Sequence, residues 1–121
     1  MTTFEVTTEN GADTVLVRLR GELDLASAKH LEAALERVRV QAPARTVVDL
    51  RGLGFIDSTG LSALVGADDR AREDGRDLLL VRGPAPVQRV FEITGLDRRF
   101  TMVDDPEASG ADEVAQDGAE A

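Results

Sequence analysis

Cysteine is absent from this chain, and with it go disulfides, a thiol nucleophile and any cysteine metal site. Tryptophan and tyrosine are absent too, which removes the rings best suited to stacking nucleic-acid bases. The only histidine, His30, has no second histidine and no carboxylate pair at a metal-ligand spacing, so no metal site and no cofactor is expected. It reads most simply as a solvated residue near the start of the first helix. No apolar run exceeds a few residues, so no membrane insertion is expected. Met1 leads into polar Thr2-Thr3 rather than into a basic stretch and an apolar core, so no secretory signal is visible and a cytoplasmic location is expected.

What is present fits one domain. At 121 residues the chain is long enough for a two-layer core without staples. The net charge of −9 is unevenly placed. Residues 104–121 hold seven of the 23 acids and no base, so residues 1–103 carry 16 acids against all 14 bases, a net −2. A nearly neutral body with an acidic tail matches a phosphate backbone poorly, so direct nucleic-acid binding is not expected.

The periodicities follow one another in a regular order. Phe4-Glu5-Val6-Thr7 alternates weakly, Asn10-Gly11 suits a tight reversal with positive φ, and Thr14 to Leu19 alternates again, a hairpin that Gly21 is expected to end. Leu23-Asp24-Leu25 leads toward Ser27, and either Asp24 or Ser27 is placed to begin a helix whose apolar face is Ala28, Leu31, Ala34, Leu35 and Val38. Thr46 to Leu50 reads as a buried strand. Leu61, Leu64 and Val65 mark the apolar face of a second helix that can run to Gly75. Asp77 to Val81 is apolar on both faces and therefore a central strand. Pro84 and Pro86 introduce a third helix, with Val87, Val90 and Phe91 on one face and Gly95 at its end, before a short strand around Phe100 to Val103. Right-handed crossovers then give an α/β two-layer fold: a mixed β-sheet of about five strands, an N-terminal hairpin plus parallel β-α-β units, with helices packed on it. The domain is expected over residues 1–108. Residues 109–121 are expected to form an acidic tail, a marginal helix or disordered.

One stretch carries chemistry: Phe55-Ile56-Asp57-Ser58-Thr59-Gly60-Leu61. It sets a hydroxyl between a buried apolar run and a helix start, beside a carboxylate. Ser58 there is both a candidate helix cap and a reachable phosphate acceptor, with Gly60 keeping the adjoining surface open. Thr59 offers a second hydroxyl in the first turn. Catalysis by Ser58 is not expected. The flanking glycines of a nucleophile elbow are missing, and any base would have to be His30. Asp-Ser-Thr-Gly looks superficially like an aspartic-protease motif, but that chemistry needs two carboxylates sharing a proton and only one such motif is present. No GxxxxGK[ST] loop cradles a nucleotide. The chain is not expected to be an enzyme, and Ser58 reads as a group acted upon.

Gly21-Glu22-Leu23-Asp24, Val47-Val48-Asp49-Leu50, the seven-residue stretch above, and Gly95-Leu96-Asp97 followed by Phe100 together resemble a STAS domain, and within that family the stand-alone anti-sigma factor antagonists of bacteria. The resemblance spans residues from about 4 to 108. It implies partner switching. The unphosphorylated protein would bind an anti-sigma factor, a serine kinase with a histidine-kinase-like ATPase fold, and free a sigma factor. Phosphorylation at Ser58 would release it, and a separate metal-dependent serine phosphatase would restore it. By the same resemblance Asp24, Leu25, Ser27, Asp57, Ser58, Thr59, Gly60 and Leu61 form the partner surface. Stand-alone STAS proteins also resemble regulatory subunits of bacterial lipid or small-molecule transporters, and components of stress-sensing scaffolds. Both remain alternative readings.

Overall fold

Alternating inward and outward side chains build the first hairpin of the computed structural model, which describes residues 3–106. Strand β1 (Phe4–Asn10) pairs antiparallel with β2 (Thr14–Leu23), whose Val15, Val17 and Leu19 point into the core. The reversal falls after Asn10 rather than through it. Asn10 pairs with Val15, the Gly11 N–H donates to the Thr14 carbonyl at 2.7 Å, and neither Asn10 nor Gly11 takes positive φ. Gly21 does not end β2, contrary to expectation. It is traversed at φ +100°, and a Cβ there would lie 2.0 Å from the Thr3 carbonyl oxygen, so only glycine lets β1 and β2 stay paired as far as Phe4 and Gly21. Register shifts beside Gly21 bend the strand and carry it on to Leu23.

Helix α1 (Leu25–Gln41) buries Ala28, Leu31, Ala34, Leu35 and Val38, the predicted stripe, and ends at Ala42 before Pro43. Strand β3 (Arg45–Ile56) is longer than its apolar run suggests, because Leu53 and Ile56 continue into the core beyond Leu50. Helix α2 (Ser58–Glu73) stops before Gly75. Strand β4 (Asp77–Val81), buried from Leu78 onward, lies between β3 and β5 (Thr101–Val103), as expected of a strand apolar on both faces. Helix α3 (Ala85–Thr94) opens at Pro84 with Pro86 in its first turn. It buries Val87 and Phe91, and a single 3₁₀ turn (Leu96–Arg98) joins it to β5.

The sheet order is β1-β2-β3-β4-β5, with only the first pair antiparallel. Successive parallel neighbours joined by right-handed crossovers place every helix on one sheet face. Accordingly, the apolar residues of α1, α2 and α3 join Val48, Leu50, Leu53, Leu78 and Leu80 in one core. Phe91 meets Phe100 edge-on there, with ring centroids 5.9 Å apart. Each such fully buried side chain contributes about 1.5–3 kcal/mol. Among the described residues no helix is long and apolar enough to cross a membrane.

The opposite face carries Val47, Leu79 and Val81, and beside them a buried carboxylate, Asp49. Arg51 clamps it through its backbone N–H (3.0 Å), Nε (3.0 Å) and Nη2 (2.9 Å), while Arg18 Nε lies 3.7 Å away. Burial pushes the Asp49 carboxyl up. The Arg51 hydrogen bonds and the charges of Arg51 and Arg18 outweigh that and hold it below its ordinary value. The tail at residues 109–121 lies outside the described residues.

Candidate functional site

Two parallel neighbours, β2 and β3, end side by side, and each passes into a helix through one aspartate. Leu23 pairs with Ile56 at the last register position. Asp24 then caps α1 and Asp57 caps α2, both in extended backbone. The two helix starts are held together by a bond from the Asp57 N–H to the Leu23 carbonyl at 3.1 Å.

The two caps differ at their third helical residue. In α1 that residue is Ser27, so the Asp24 carboxylate accepts the Ser27 N–H at 3.1 Å and the Ser27 hydroxyl accepts the Asp24 N–H at 2.9 Å, a closed capping box. The Ser27 hydroxyl also donates to the Glu22 carbonyl at 2.7 Å. In α2 the third residue is Gly60. Asp57 accepts its N–H at 3.0 Å, but glycine has no side chain to answer, and the Asp57 N–H turns to Leu23 instead.

This arrangement corrects two expectations about α2. Ser58 is not its cap, because Asp57 holds that role. Ser58 is the first helical residue, exposed, and among the described residues no hydrogen bond involves its hydroxyl. Gly60 does not leave the surface open. It is buried, and a Cβ there would lie 2.7 Å from Leu23 Cγ, 2.9 Å from the Leu23 carbonyl oxygen and 3.1 Å from Ile56 Cγ1. Glycine lets the first turn of α2 sit directly on the end of β2. That contact thrusts Ser58 outward.

The predicted partner residues therefore divide. Ser58 and Leu25, each the first residue of its helix, are exposed, Leu25 by 72%. Asp24, Asp57 and Thr59 are half-buried at the rim. Ser27, Gly60 and Leu61 are buried and shape the site from beneath, and Leu61 also lines a groove beside Ser58. The strand expected over Thr46 to Leu50 stops short of Phe55. The structure leaves it 46% exposed, three residues before Ser58. Leu53 and Ile56 both face the core at a spacing of three, so strict alternation breaks between them and Phe55 turns out. The neighbouring Gly54 was the only hint of such an irregularity in the sequence.

Chemically, the site is a hydroxyl at a helix N-terminus, flanked by two exposed apolar side chains and two aspartates engaged as caps. A phosphate on such a hydroxyl is tolerated or mildly favoured by the helix dipole, by about 0.3–1 kcal/mol at an exposed position. Among the described residues no group of three His, Cys, Asp or Glu side chains is gathered to hold a metal. His30 is exposed on α1, edge-on to Phe4 with centroids 5.5 Å apart.

Comparison with known proteins points the same way. The family model of the STAS domain matches residues 3–109. An anti-sigma-B factor antagonist of Listeria monocytogenes is 34% identical over 88 residues, covering 73% of this chain and 77% of the relative. The crystal structure of an anti-sigma factor antagonist from Mycobacterium paratuberculosis superposes with a TM-score of 0.79 at 25% identity, covering 88% of this chain and 90% of that one. The Bacillus cell fate determinant SpoIIAA in its phosphorylated form superposes with a TM-score of 0.71 at 25% identity, covering 91% of this chain and 99% of its own.

Proposed function

The chain belongs to the STAS domain family, and we propose that it is an anti-sigma factor antagonist switched by phosphorylation at Ser58. Unphosphorylated, it binds an anti-sigma factor that is a serine kinase and so frees a sigma factor. The kinase transfers phosphate to Ser58, the complex parts, and a separate serine phosphatase resets the hydroxyl. The observation that carries this reading is the division of labour at the start of α2: Asp57 caps the helix, and the exposed Ser58 hydroxyl makes no hydrogen bond among the described residues. The names of relatives that are anti-sigma antagonists, and a phosphorylated structural neighbour, support it.

The energetics suffice. An interface packed around a hydroxyl must desolvate two new charges and find room for three oxygens once Ser58 is phosphorylated. A loss of about 3–4 kcal/mol weakens binding several-hundred-fold, since each 1.4 kcal/mol is tenfold. The domain itself stays folded, because the helix start accommodates the phosphate.

The test is incubation with the cognate anti-sigma factor kinase and ATP, followed by mass spectrometry. Phosphate on Ser58 is expected. A chain left unmodified across residues 57–61 would sink the proposal and favour the transporter-subunit reading.

A further inference from the structure

We infer that the kinase footprint extends from Ser58 along a groove between α2 and the end of α3, and that an apolar, uncharged segment of the kinase seats there; this rests on the antagonist reading above. The groove is open, about 420 Å³ in volume, and Ser58 forms part of its wall. Leu61, Ser62, Val65, Gly66 and Asp69 follow along the same side of α2, and Thr94 and Leu96 form the opposite wall. Of these seven, only Leu61 belongs to the surface that the sequence singled out.

Three observations select this occupant. The first is continuity: a kinase bringing its nucleotide to the Ser58 hydroxyl covers one end of the groove. A specific interface takes about 800 Å² from each partner, far more than one helix start offers, so it must spread. The groove is a concave surface leading away from that serine. The second is charge. The groove's one ionised side chain, Asp69, is already paired with Arg99. Thr94 spends its hydroxyl on the Val90 carbonyl at 2.8 Å, so its methyl and the side chains of Val65 and Leu96 are left to face an occupant. A neutral groove with apolar walls selects an uncharged apolar segment. The third is the switch. A phosphate on Ser58 introduces charge into the wall of this groove, so the seated segment loses its apolar surroundings at the step that must end the complex.

The experiment measures binding of the full-length unphosphorylated chain to its cognate kinase by titration calorimetry. Ser62→Arg and Thr94→Arg obstruct the groove from opposite walls at exposed positions, without touching Ser58. Val40→Arg adds the same charge at another exposed site, 76% accessible near the end of α1. Each wall variant is expected to raise Kd at least tenfold, with Val40→Arg within twofold of wild type and the thermal melts of all three unchanged. If either wall variant melts early, the other carries the comparison. Wall variants that bind like wild type overturn the inference while leaving Ser58 phosphorylation intact, and assign the groove to a small molecule or to nothing. Loss of self-association in those variants with kinase binding unchanged would assign it to a second copy and overturns it equally. A wild-type chain that binds no kinase removes the antagonist reading, and the inference with it.

Discussion

The Asp57 carboxylate accepts the Gly60 N–H at 3.0 Å, and that bond decides what Ser58 does. With the cap supplied by its neighbour, the serine has no structural duty at the helix start, and stability and signalling separate onto adjacent residues.

That separation predicts opposite outcomes for two adjacent substitutions. Asp57→Ala removes the cap and is expected to cost about 1 kcal/mol in denaturant unfolding. Ser58→Ala, at an exposed position with no hydrogen bond among the described residues, is expected to stay within about 0.5 kcal/mol of wild type. Equal losses would mean that Ser58 shares the capping.

Binding should show the reverse pattern. Ser58→Asp is expected to weaken binding to the cognate kinase, up to several-hundred-fold if a carboxylate reproduces a penalty of about 3–4 kcal/mol. Ser58→Ala is expected to bind like the unmodified chain and to stay bound when ATP is added. Calorimetry with and without ATP reads both, and indistinguishable affinities for the two variants would refute the switch.

Gly60→Ala probes the close approach under the site. Its Cβ would meet Leu23 Cγ at 2.7 Å and the Leu23 carbonyl oxygen at 2.9 Å, the latter part of the backbone and unable to rotate away. A loss of about 1–3 kcal/mol is expected from overpacking, visible as a lowered denaturation midpoint. An unchanged midpoint would show that α2 can lift from β2 without cost.

The acid limb of stability should depend on Asp49. Its carboxyl is held below the ordinary value in the folded state by Arg51 and Arg18 despite burial. The stabilisation from this group is therefore present above the unfolded pKa of about 3.9, and is lost as pH falls through the lower folded value. Unfolding free energy measured from pH 7 downward should hold until roughly pH 4 and then fall. Asp49→Asn should be less stable at neutral pH and fall less steeply below pH 4. A parallel acid limb in the two proteins would place the sensitivity elsewhere.

Much of the fold was legible because local periodicity and burial agree. The stripe Ala28, Leu31, Ala34, Leu35, Val38 is the buried face of α1, and the doubly apolar run from Leu78 to Val81 is an interior strand. Legibility failed where two strands had to be seen together. Gly21 reads locally as a strand end, yet it is the residue at which Thr3, just before β1, approaches too closely for any side chain. Phe55 lies beyond the strand that local pattern marks over Thr46 to Leu50, and the spacing between Leu53 and Ile56 turns it outward.

By itself the sequence determined the order of the elements and the hydroxyl at the start of α2, because each follows from residue type and short-range spacing. Tertiary structure decided which side chain caps that helix, which motif residues reach the surface, and that Leu25 and Ser58 stand at neighbouring helix starts. The physical reason is the parallel pairing of β2 with β3. Only when Leu23 lies against Ile56 does Gly60 have to be bare, does the Asp57 N–H find a carbonyl, and does Ser58 turn outward.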